Sequence, residues 1–253
     1  MNAIRGVRER ARAEITAAIK DEARRQLARE GAARLSLRAV ARELGMVSSA
    51  LYRYFPNRDE LLTALIVDAY DAIGATAERA LAAADRDRPV IRWRAVCRAV
   101  RQWALAHPHE YALIHGSPVP GYSAPQATVA PASRVGLALI AVARDARAAG
   151  LLRESAATSV PRAVAEDADR LTARLDVDLP APVTATLVAA WAELFGLVGF
   201  EVFGQFNRVV EAREEFFDHA VARLAEAVGL TDGDVGLTDG DGEREPATPP
   251  PGP

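Results

Sequence analysis

A series of helix stop and start signals near the N-terminus constrains the fold most strongly. Gly31 ends a long segment of helical apolar spacing, and Ser36 can cap a second helix that Gly45 stops after two turns. Ser48 can cap a third short helix, which Pro56 closes because the residue before a proline resists helical angles. These signals predict two short helices that are joined by a glycine-containing turn and flanked by two long helices.

The rest of the chain is also patterned for helices. Runs of the residue types that favour strands are nearly absent, and apolar residues recur at three- and four-residue steps. The predicted helices cover residues 57–84, 89–107, 108–115, 128–149, 162–174, 183–206 and 213–228. We expect an all-α protein with three parts: a three-helix helix-turn-helix domain over residues 1–58, a larger helical bundle over residues 59–229 and a disordered acidic Gly- and Pro-rich tail over residues 230–253.

Charge is distributed unevenly along the chain. The whole chain has a net charge of −3, yet residues 1–58 hold thirteen basic and six acidic side chains, a net charge of +7. A basic N-terminal part on an otherwise acidic chain is typical of a protein whose N-terminal part faces DNA. On charge alone, a basic helix that is merely solvated stays an alternative.

Cysteine content and hydropathy bear on the compartment. The single cysteine, Cys97, cannot form an internal disulfide, so nothing points to an oxidising compartment. We expect no 18-residue apolar run that would span a bilayer, and the charged N-terminus does not resemble a signal peptide. The sequence therefore predicts a cytoplasmic bacterial protein without a membrane partner.

Signals for catalysis, cofactors and metals are weak. No Gly-rich phosphate loop and no Gly-x-Ser-x-Gly motif occurs. Three histidines and a carboxylate cluster at His107, His109, Glu110 and His115, but their spacing is not the His-x-x-x-His of a helical metal site. We expect no enzyme, no cofactor and no metal.

The segment LSLRAVARELGMVSSALYRYFPNRDELL, residues 35–62, resembles the signature of the TetR family of bacterial transcriptional regulators at nearly every position. The resemblance implies a third helix that enters the major groove of DNA. It implies that Arg38, Ser49 and Tyr52 contact bases or their sugars, and the Arg38 guanidinium can pair with guanine O6 and N7. Ser36, Ser48, Tyr54 and Arg58 more often hold phosphates, and for Arg53 a solvated side chain is the alternative. The predicted DNA-binding residues are Ser36, Arg38, Ser48, Ser49, Tyr52, Arg53, Tyr54 and Arg58.

In the TetR family the large helical domain forms the dimer and encloses an effector pocket. Small residues on the most apolar helix here step by three and four, which lets another helix approach closely; burial inside one chain is the alternative. The predicted dimer residues are Ala185, Ala189, Ala192, Gly196 and Gly199 on that helix, and Phe217, Val221 and Leu224 on the next.

The predicted pocket is built from aromatic residues of the body. Residues 107–122 and 191–196 resemble a TetR subgroup with a Trp-His-Gly type C-terminal domain, although Phe195 stands where that domain usually has His. Pockets are mostly apolar with a few polar anchors, and ordinary core packing is the alternative for most of these side chains. The predicted ligand-binding residues are Trp93, Trp103, Tyr111, His115, Trp191, Phe195 and Phe203.

Together these features predict a homodimeric regulator, in the repressing mode, that binds a palindromic double-stranded DNA operator and is released by a small apolar or amphipathic effector. Two alternatives stay open. One is a DNA-binding regulator without a small-molecule effector, and the other is an architectural protein that binds DNA without sequence preference.

Overall fold

The computed structural model describes residues 2–153 and 160–233, with side chains from Gly6 onward. Within these ranges the chain forms ten α-helices, two short 3₁₀ helices and no strand, which confirms the predicted all-α fold. The helices are α1 (Asn2–Glu30), α2 (Leu37–Glu43), α3 (Ser48–Leu51), α4 (Arg58–Ala83), α5 (Pro89–Ala106), α6 (Pro108–His115), α7 (Val129–Ala148), α8 (Arg162–Leu175), α9 (Ala181–Val202) and α10 (Arg213–Val228).

Local signals account for the N-terminal helix boundaries. Gly31 and Gly45 adopt left-handed φ angles of 79° and 63°, which L-residues rarely tolerate. The Ser36 hydroxyl accepts a hydrogen bond from the Ala39 amide at 3.4 Å, and the Asn57 side chain accepts one from the Glu60 amide at 2.8 Å. The predicted cap at Ser48 is wrong, because α3 already begins there and Val47 precedes it without a side-chain cap.

A compact apolar core holds the N-terminal helices together. Ile19 and Ala23 of α1, Val40 of α2, Leu51 of α3 and Leu61 of α4 are each at most 1% exposed. Each large aliphatic side chain of this kind stabilises the folded state by roughly 1.5–3 kcal/mol through removal of its surface from water. The core fixes α2 and α3 to the two long helices, so the outward faces of the short helices are rigidly presented.

Helix α4 belongs to both halves of the molecule. Its first turns, with Leu61 and Leu65, lie in the N-terminal core, and its later turns, with Ile73 and Ala77, lie in the core of the body. The body core is centred on α5, where Trp93 is fully buried. A displacement of α4 therefore reaches both cores, because the helix runs unbroken from Arg58 to Ala83.

Two boundaries in the body differ from the prediction. Helix α9 ends at Val202 rather than at residue 206, and Gly204 follows with a φ of 79°. The predicted tail begins inside the fold: Leu230 is 3% exposed, Thr231 donates to the Leu151 carbonyl, and Asp232 accepts from the Val90 amide at 2.8 Å. Residues 234–253, the rest of the predicted tail, lie outside the described residues.

The expectation that no segment is apolar enough to span a membrane is wrong by length and composition. Two helical stretches, Gln126–Ala148 and Ala181–Val202, satisfy both criteria. Both contribute side chains to the body core, including Leu139 and Leu194, which are at most 1% exposed. The core helix of a globular body satisfies the same criteria.

Candidate DNA-binding surface and ligand cavity

The predicted DNA-reading residues lie on the solvent side of α2 and α3. Arg38, Ser48, Ser49 and Arg53 are exposed, and Tyr52 is 41% exposed although it is a large aromatic residue. Their neighbours Val40, Leu51 and Phe55 face the core instead. Exposed guanidinium and hydroxyl groups donate hydrogen bonds to base edges and sugars, and the exposed aromatic ring beside them offers a flat contact surface.

Ion pairing divides the basic residues of α1 into two groups. In its second half, Lys20 and Arg24 pair with Asp68 of α4 at 2.8 and 2.6 Å, and Arg24 also pairs with Glu110 of α6 at 2.9 Å. In its first half, Arg8, Arg10 and Arg12 form no ion pair with a described carboxylate, and the same holds for Arg38 and Arg53. Within the N-terminal helices, these arginines thus leave positive charge without a described ion-pair partner on the first half of α1, on α2 and directly after α3.

Arg12 connects the first half of α1 to the end of the third helix. Its guanidinium lies over the Tyr54 ring, 5.2 Å from the centroid, and donates to the Arg53 carbonyl at 3.4 Å. Cation–π contacts of this kind favour a fixed ring orientation. Half-buried Tyr54 is consequently held between the N-terminal core and a cationic side chain.

Arg58 occupies a different position from the one expected of a phosphate ligand. Its guanidinium donates to the carbonyl oxygens of Leu35 at 3.2 Å, Ala32 at 2.9 Å and Ala33 at 3.3 Å. These carbonyls belong to the 3₁₀ turn before α2 and to the residue after it, and of the three only the Ala32 carbonyl also accepts from a described backbone amide, that of Leu35 at 3.2 Å. Arg58 therefore fastens the start of α4 to the start of the helix-turn-helix, and its donors are already engaged.

Buried Gln26 fastens the same turn from α1, a role that we did not predict. It accepts from the Ser36 amide at 3.2 Å and donates to the Arg34 carbonyl at 3.4 Å. The side chain is 4% exposed. A polar residue on the apolar side of an amphipathic helix was the available signal, since such a group requires partners when buried.

A cavity of about 900 Å³ lies in the body between α4, α6, α7, α8 and α9. Most of its lining is aliphatic, and representative lining residues are Ile66, Leu113, Leu137, Leu171, Leu187 and Val188. The described lining contains no Asp, Glu, Lys or Arg. Cavities of this size and character accommodate small organic ligands.

Of the seven predicted ligand residues, His115 and Trp191 line the cavity. Phe195 stacks on the His115 ring with centroids 4.1 Å apart, and Tyr111 lies behind both and donates to the Phe195 carbonyl at 2.9 Å. At the position where the related subgroup usually has His, this chain thus has an aromatic support for the cavity histidine.

The prediction is wrong for the other three. Trp93 and Trp103 are packed in the body core and do not line the cavity, and Phe203 is 43% exposed at the end of α9. Aromatic residues at helical spacing are as typical of core as of a ligand site, so the spacing alone could not separate these two roles.

Two buried polar atoms on the cavity lining have no hydrogen-bond partner: His115 Nε2 and Thr184 Oγ1. Burial lowers the pKa of His115 to about 4, so its ring is neutral at pH 7. Tyr70 stands edge-on to the same ring at 5.9 Å and donates to the Ile114 carbonyl at 3.2 Å. Unpaired buried polar groups are rare in folded proteins, and both atoms belong to side chains that line the cavity.

The histidine cluster is dispersed by the fold. His107 stacks on Trp103 with centroids 5.1 Å apart, Glu110 pairs with Arg24, and His115 faces the cavity. Among the described residues, no three His, Cys, Asp or Glu side chains converge as a metal site would require. Cys97 is fully buried, and burial raises the pKa of its thiol.

The small residues of α9 form an outward stripe. Ala189, Ala192 and Gly196 are exposed, and they lie on the side of the helix opposite Leu187 and Leu194. A Cβ atom added at Gly196 would meet nothing within 4 Å in this chain. The flanking members of the predicted stripe, Ala185 and Gly199, are half-buried.

The structure corrects the prediction that residues of α10 lie at a dimer interface. Phe217, Val221 and Leu224 are at most 7% exposed and pack into the core of their own chain. The adjacent Phe216 is exposed instead and packs edge-on against Phe206 with centroids 5.5 Å apart.

Two family models match the chain. Residues 19–65 match the bacterial regulatory proteins of the tetR family, and residues 93–224 match the tetracyclin repressor-like C-terminal domain. The chain belongs to the TetR family. The resemblance of residues 35–62 is therefore confirmed, and the N-terminal match covers α2, α3 and the second half of α1.

Individual relatives agree with this assignment. The HTH-type transcriptional regulator Rv1816 of Mycobacterium tuberculosis is 42% identical over 211 residues, which are 80% of this chain and 86% of that protein. The solved structure of the regulatory protein SCO4313 is 37% identical, with a TM-score of 0.70 over 86% of this chain and 98% of that one. PfmR, a TetR-family regulator from Thermus thermophilus, shares the fold with a TM-score of 0.54 over 83% of this chain and 96% of that one, at 20% identity.

As a TetR-family transcriptional regulator, the protein belongs to a group whose members bind DNA, typically dimerise and are generally not enzymes. The family is also one of soluble DNA-binding proteins, so the two long apolar helices are best understood as bundle helices.

Proposed function

We propose that this TetR-family protein is a homodimeric repressor, which binds a palindromic operator through residues 36–54 and is released when a small molecule enters the cavity. The observation that carries the proposal is that α4 and α6 serve both sites. Ile66 of α4 belongs to the N-terminal core, Leu113 and Ile114 of α6 pack against that core, and all three line the cavity.

Polar contacts strengthen the same connection. Arg24 of α1 pairs with both Asp68 of α4 and Glu110 of α6, at 2.6 and 2.9 Å. Tyr122, which lines the cavity, shares a hydrogen bond of 2.9 Å with Thr63 of α4. A molecule that spreads α6 from α9 would pull on the helix that carries the DNA-binding unit. It releases DNA only if it binds the DNA-free conformation better, and coupling of about 1–3 kcal/mol is typical.

Dimerisation through α9 gives the repressor its operator symmetry. The stripe at Ala189, Ala192 and Gly196 allows a second α9 to approach across a two-fold axis, and the exposed Phe200 extends its apolar surface. Two helix-turn-helix units related by a two-fold axis require two half-sites related by the same symmetry, about one DNA turn or a multiple apart.

The first experiment selects bound duplexes from a random pool with the full chain, and then measures affinity for the selected and a scrambled duplex at physiological salt. A palindromic consensus bound at least 10³-fold more tightly than the scramble is expected. Equal affinities would sink the specific-repressor proposal and favour the architectural alternative.

The dimer is tested by light scattering on Gly196→Arg, with Ala163→Arg on the exposed side of α8 as the matched control. Because Gly196 faces open space within one chain, the variant is expected to keep its helicity, halve its mass and lose operator affinity. A variant of unchanged mass would place the dimer contact elsewhere.

A further inference from the structure

The cavity extends along two helices. Helix α9 lines it from Thr184 through Val188 to Trp191, and its next turn carries Phe195, which stacks on the cavity-lining His115. Thr184 and Phe195 are eleven residues apart on one side of α9, and a rise of 1.5 Å per residue makes that span about 16 Å. Helix α7 lines the cavity over an equal length, from residue 129 to residue 140.

The two unpaired polar atoms lie at opposite ends of this span. Thr184 Oγ1 is on a side chain that is 3% exposed, and His115 Nε2 lies at the level of Phe195. A threonine hydroxyl and a neutral imidazole each offer one hydrogen bond to an uncharged oxygen-bearing group. Between the two ends the lining is aliphatic, with Leu187 and Leu137 as examples.

The lack of a cation on the described lining selects against apolar ligands that carry a carboxylate. The described lining holds no Lys or Arg, and the histidine at its end is neutral because burial lowers the pKa of His115 to about 4. A carboxylate placed at either buried end, beside Thr184 or His115, would lose its water shell without gaining a cation, which disfavours binding strongly. The carboxylate of a long-chain acid therefore lacks a partner here, whereas a hydroxyl has one at each end.

We infer that the cavity binds an uncharged, linear, apolar molecule of about 16 Å that bears a hydroxyl or carbonyl oxygen near each end, one bonded to His115 and the other to Thr184. The inference rests on the proposed function only in taking this cavity as the effector site. An extended ten-carbon chain with an oxygen at each end measures about 14 Å between its oxygens, which is close to this span.

The test uses the full chain at pH 7.5 and isothermal calorimetry with 1,10-decanediol, 1-decanol and decanoate. The diol is expected to bind at least tenfold more tightly than decanoate, with 1-decanol between them. Thr184→Val, which removes the hydroxyl and keeps the shape, is expected to weaken the diol about fivefold or more. His115→Phe, which removes the hydrogen bond at the other end of the cavity, is also expected to weaken binding of the diol about fivefold or more.

The matched control is Thr186→Val on the same helix, because the Thr186 hydroxyl already donates to the Pro182 carbonyl at 2.9 Å and does not line the cavity. It is expected to leave the affinity for the diol unchanged. Helicity measured by circular dichroism identifies any variant that fails to fold, and the ranking of the three probes on the unmodified chain does not depend on the variants.

The outcomes separate this inference from the repressor proposal. Decanoate binding as tightly as the diol, or no binding by any of the three probes, would overturn the inference. An affinity for the diol that is unchanged in both Thr184→Val and His115→Phe would also overturn it. If the diol binds as expected but operator affinity does not change, the ligand class stands and effector release fails. If charged compounds alone release the operator, release stands and the ligand class fails.

Discussion

The DNA-facing surface and the body cavity are opposites in charge and in exposure. Arg38 on α2 and Arg53 directly after α3 are exposed and have no described carboxylate partner, whereas the described cavity lining holds no charged residue at all. The first surface suits a polyanion in water, where attraction is long-ranged and depends on salt. The second suits a neutral apolar ligand, which binds through removal of its surface from water.

The contrast shows why a connection between the two regions has to be mechanical. The cavity contributes no net charge that could alter the field at the DNA surface, so a neutral ligand acts by moving helices. The charged cluster of Arg24, Asp68 and Glu110 lies between the regions and joins α1, α4 and α6. Four predictions test this comparison, from the largest expected effect to the smallest.

Arg38→Ala is expected to lower operator affinity by about five- to 150-fold, equivalent to about 1–3 kcal/mol, because a bidentate contact with a base is lost. The measurement is fluorescence anisotropy with the selected duplex. The matched control is Arg162→Ala on α8, where an exposed arginine pairs only with Glu166 of its own helix. Unchanged affinity in Arg38→Ala would mean that bases are read from another surface.

The N-terminal unit could be predicted from the sequence because its geometry depends on local chemistry. The positive φ angles of Gly31 and Gly45 and the caps at Ser36 and Asn57 are properties of short peptides, and all four were visible as residue types. The role of Arg58 was not visible, because its acceptors at residues 32–35 are more than twenty residues away in the chain.

The cavity could not be predicted in the same way. Its lining runs from Ile66 to Trp191 over five helices, and membership depends on how those helices cross. Similarly, Phe216 and Phe217 are adjacent, and the choice of which one faces the core is made by packing against α5 and α9. The apolar pattern marks these residues as packed without showing whether they contact the core, a ligand or a second chain.

The second prediction concerns pH. Burial lowers the pKa of His115 to about 4 in the folded chain, against about 6.5 when it is unfolded, so the unfolded state binds the proton more readily between these values. The stability that this group contributes is complete above pH 6.5 and is lost as the pH falls towards 4. Urea unfolding at pH 7.5 and pH 5 is expected to show a loss of about 2 kcal/mol from this residue.

His115→Phe is expected to remove that component, so that the two unfolding curves differ less than in the unmodified chain. His109→Phe serves as the control because His109 is exposed, and it is expected to keep the full pH difference. The assignment of the pH effect to the cavity would be wrong if both variants behaved alike.

The third prediction tests the connection between the DNA-facing surface and the cavity. Glu110→Gln removes the charge that α6 offers to Arg24, and both side chains are partly exposed. The contact is therefore worth only about 0.2–1 kcal/mol, so the ligand-induced loss of operator affinity is expected to shrink by at most about fivefold. Operator affinity is measured with and without saturating ligand.

Asp218→Asn is the control for this experiment, because it removes one side of the Arg98–Asp218 pair between α5 and α10, away from both sites. The hydrogen bond from Arg98 lowers the pKa of Asp218, so its charge is present at neutral pH. Equal losses of coupling in the two variants would mean that Arg24 and Glu110 do not form the connection.

The smallest expected effect distinguishes two arginines that the sequence grouped together. Arg53 is exposed, whereas the Arg58 guanidinium donates to the carbonyls of Leu35, Ala32 and Ala33. Each lost phosphate contact lowers the slope of log affinity against log salt by about 0.9. Arg53→Gln is expected to reduce the slope by about this amount in each subunit. Arg58→Gln is expected to leave the slope unchanged and to lower the melting temperature instead, since the carbonyls of Leu35 and Ala33 lose their donor and that of Ala32 loses one of two. A reduced slope in Arg58→Gln at an unchanged melting temperature would return Arg58 to the DNA-facing surface.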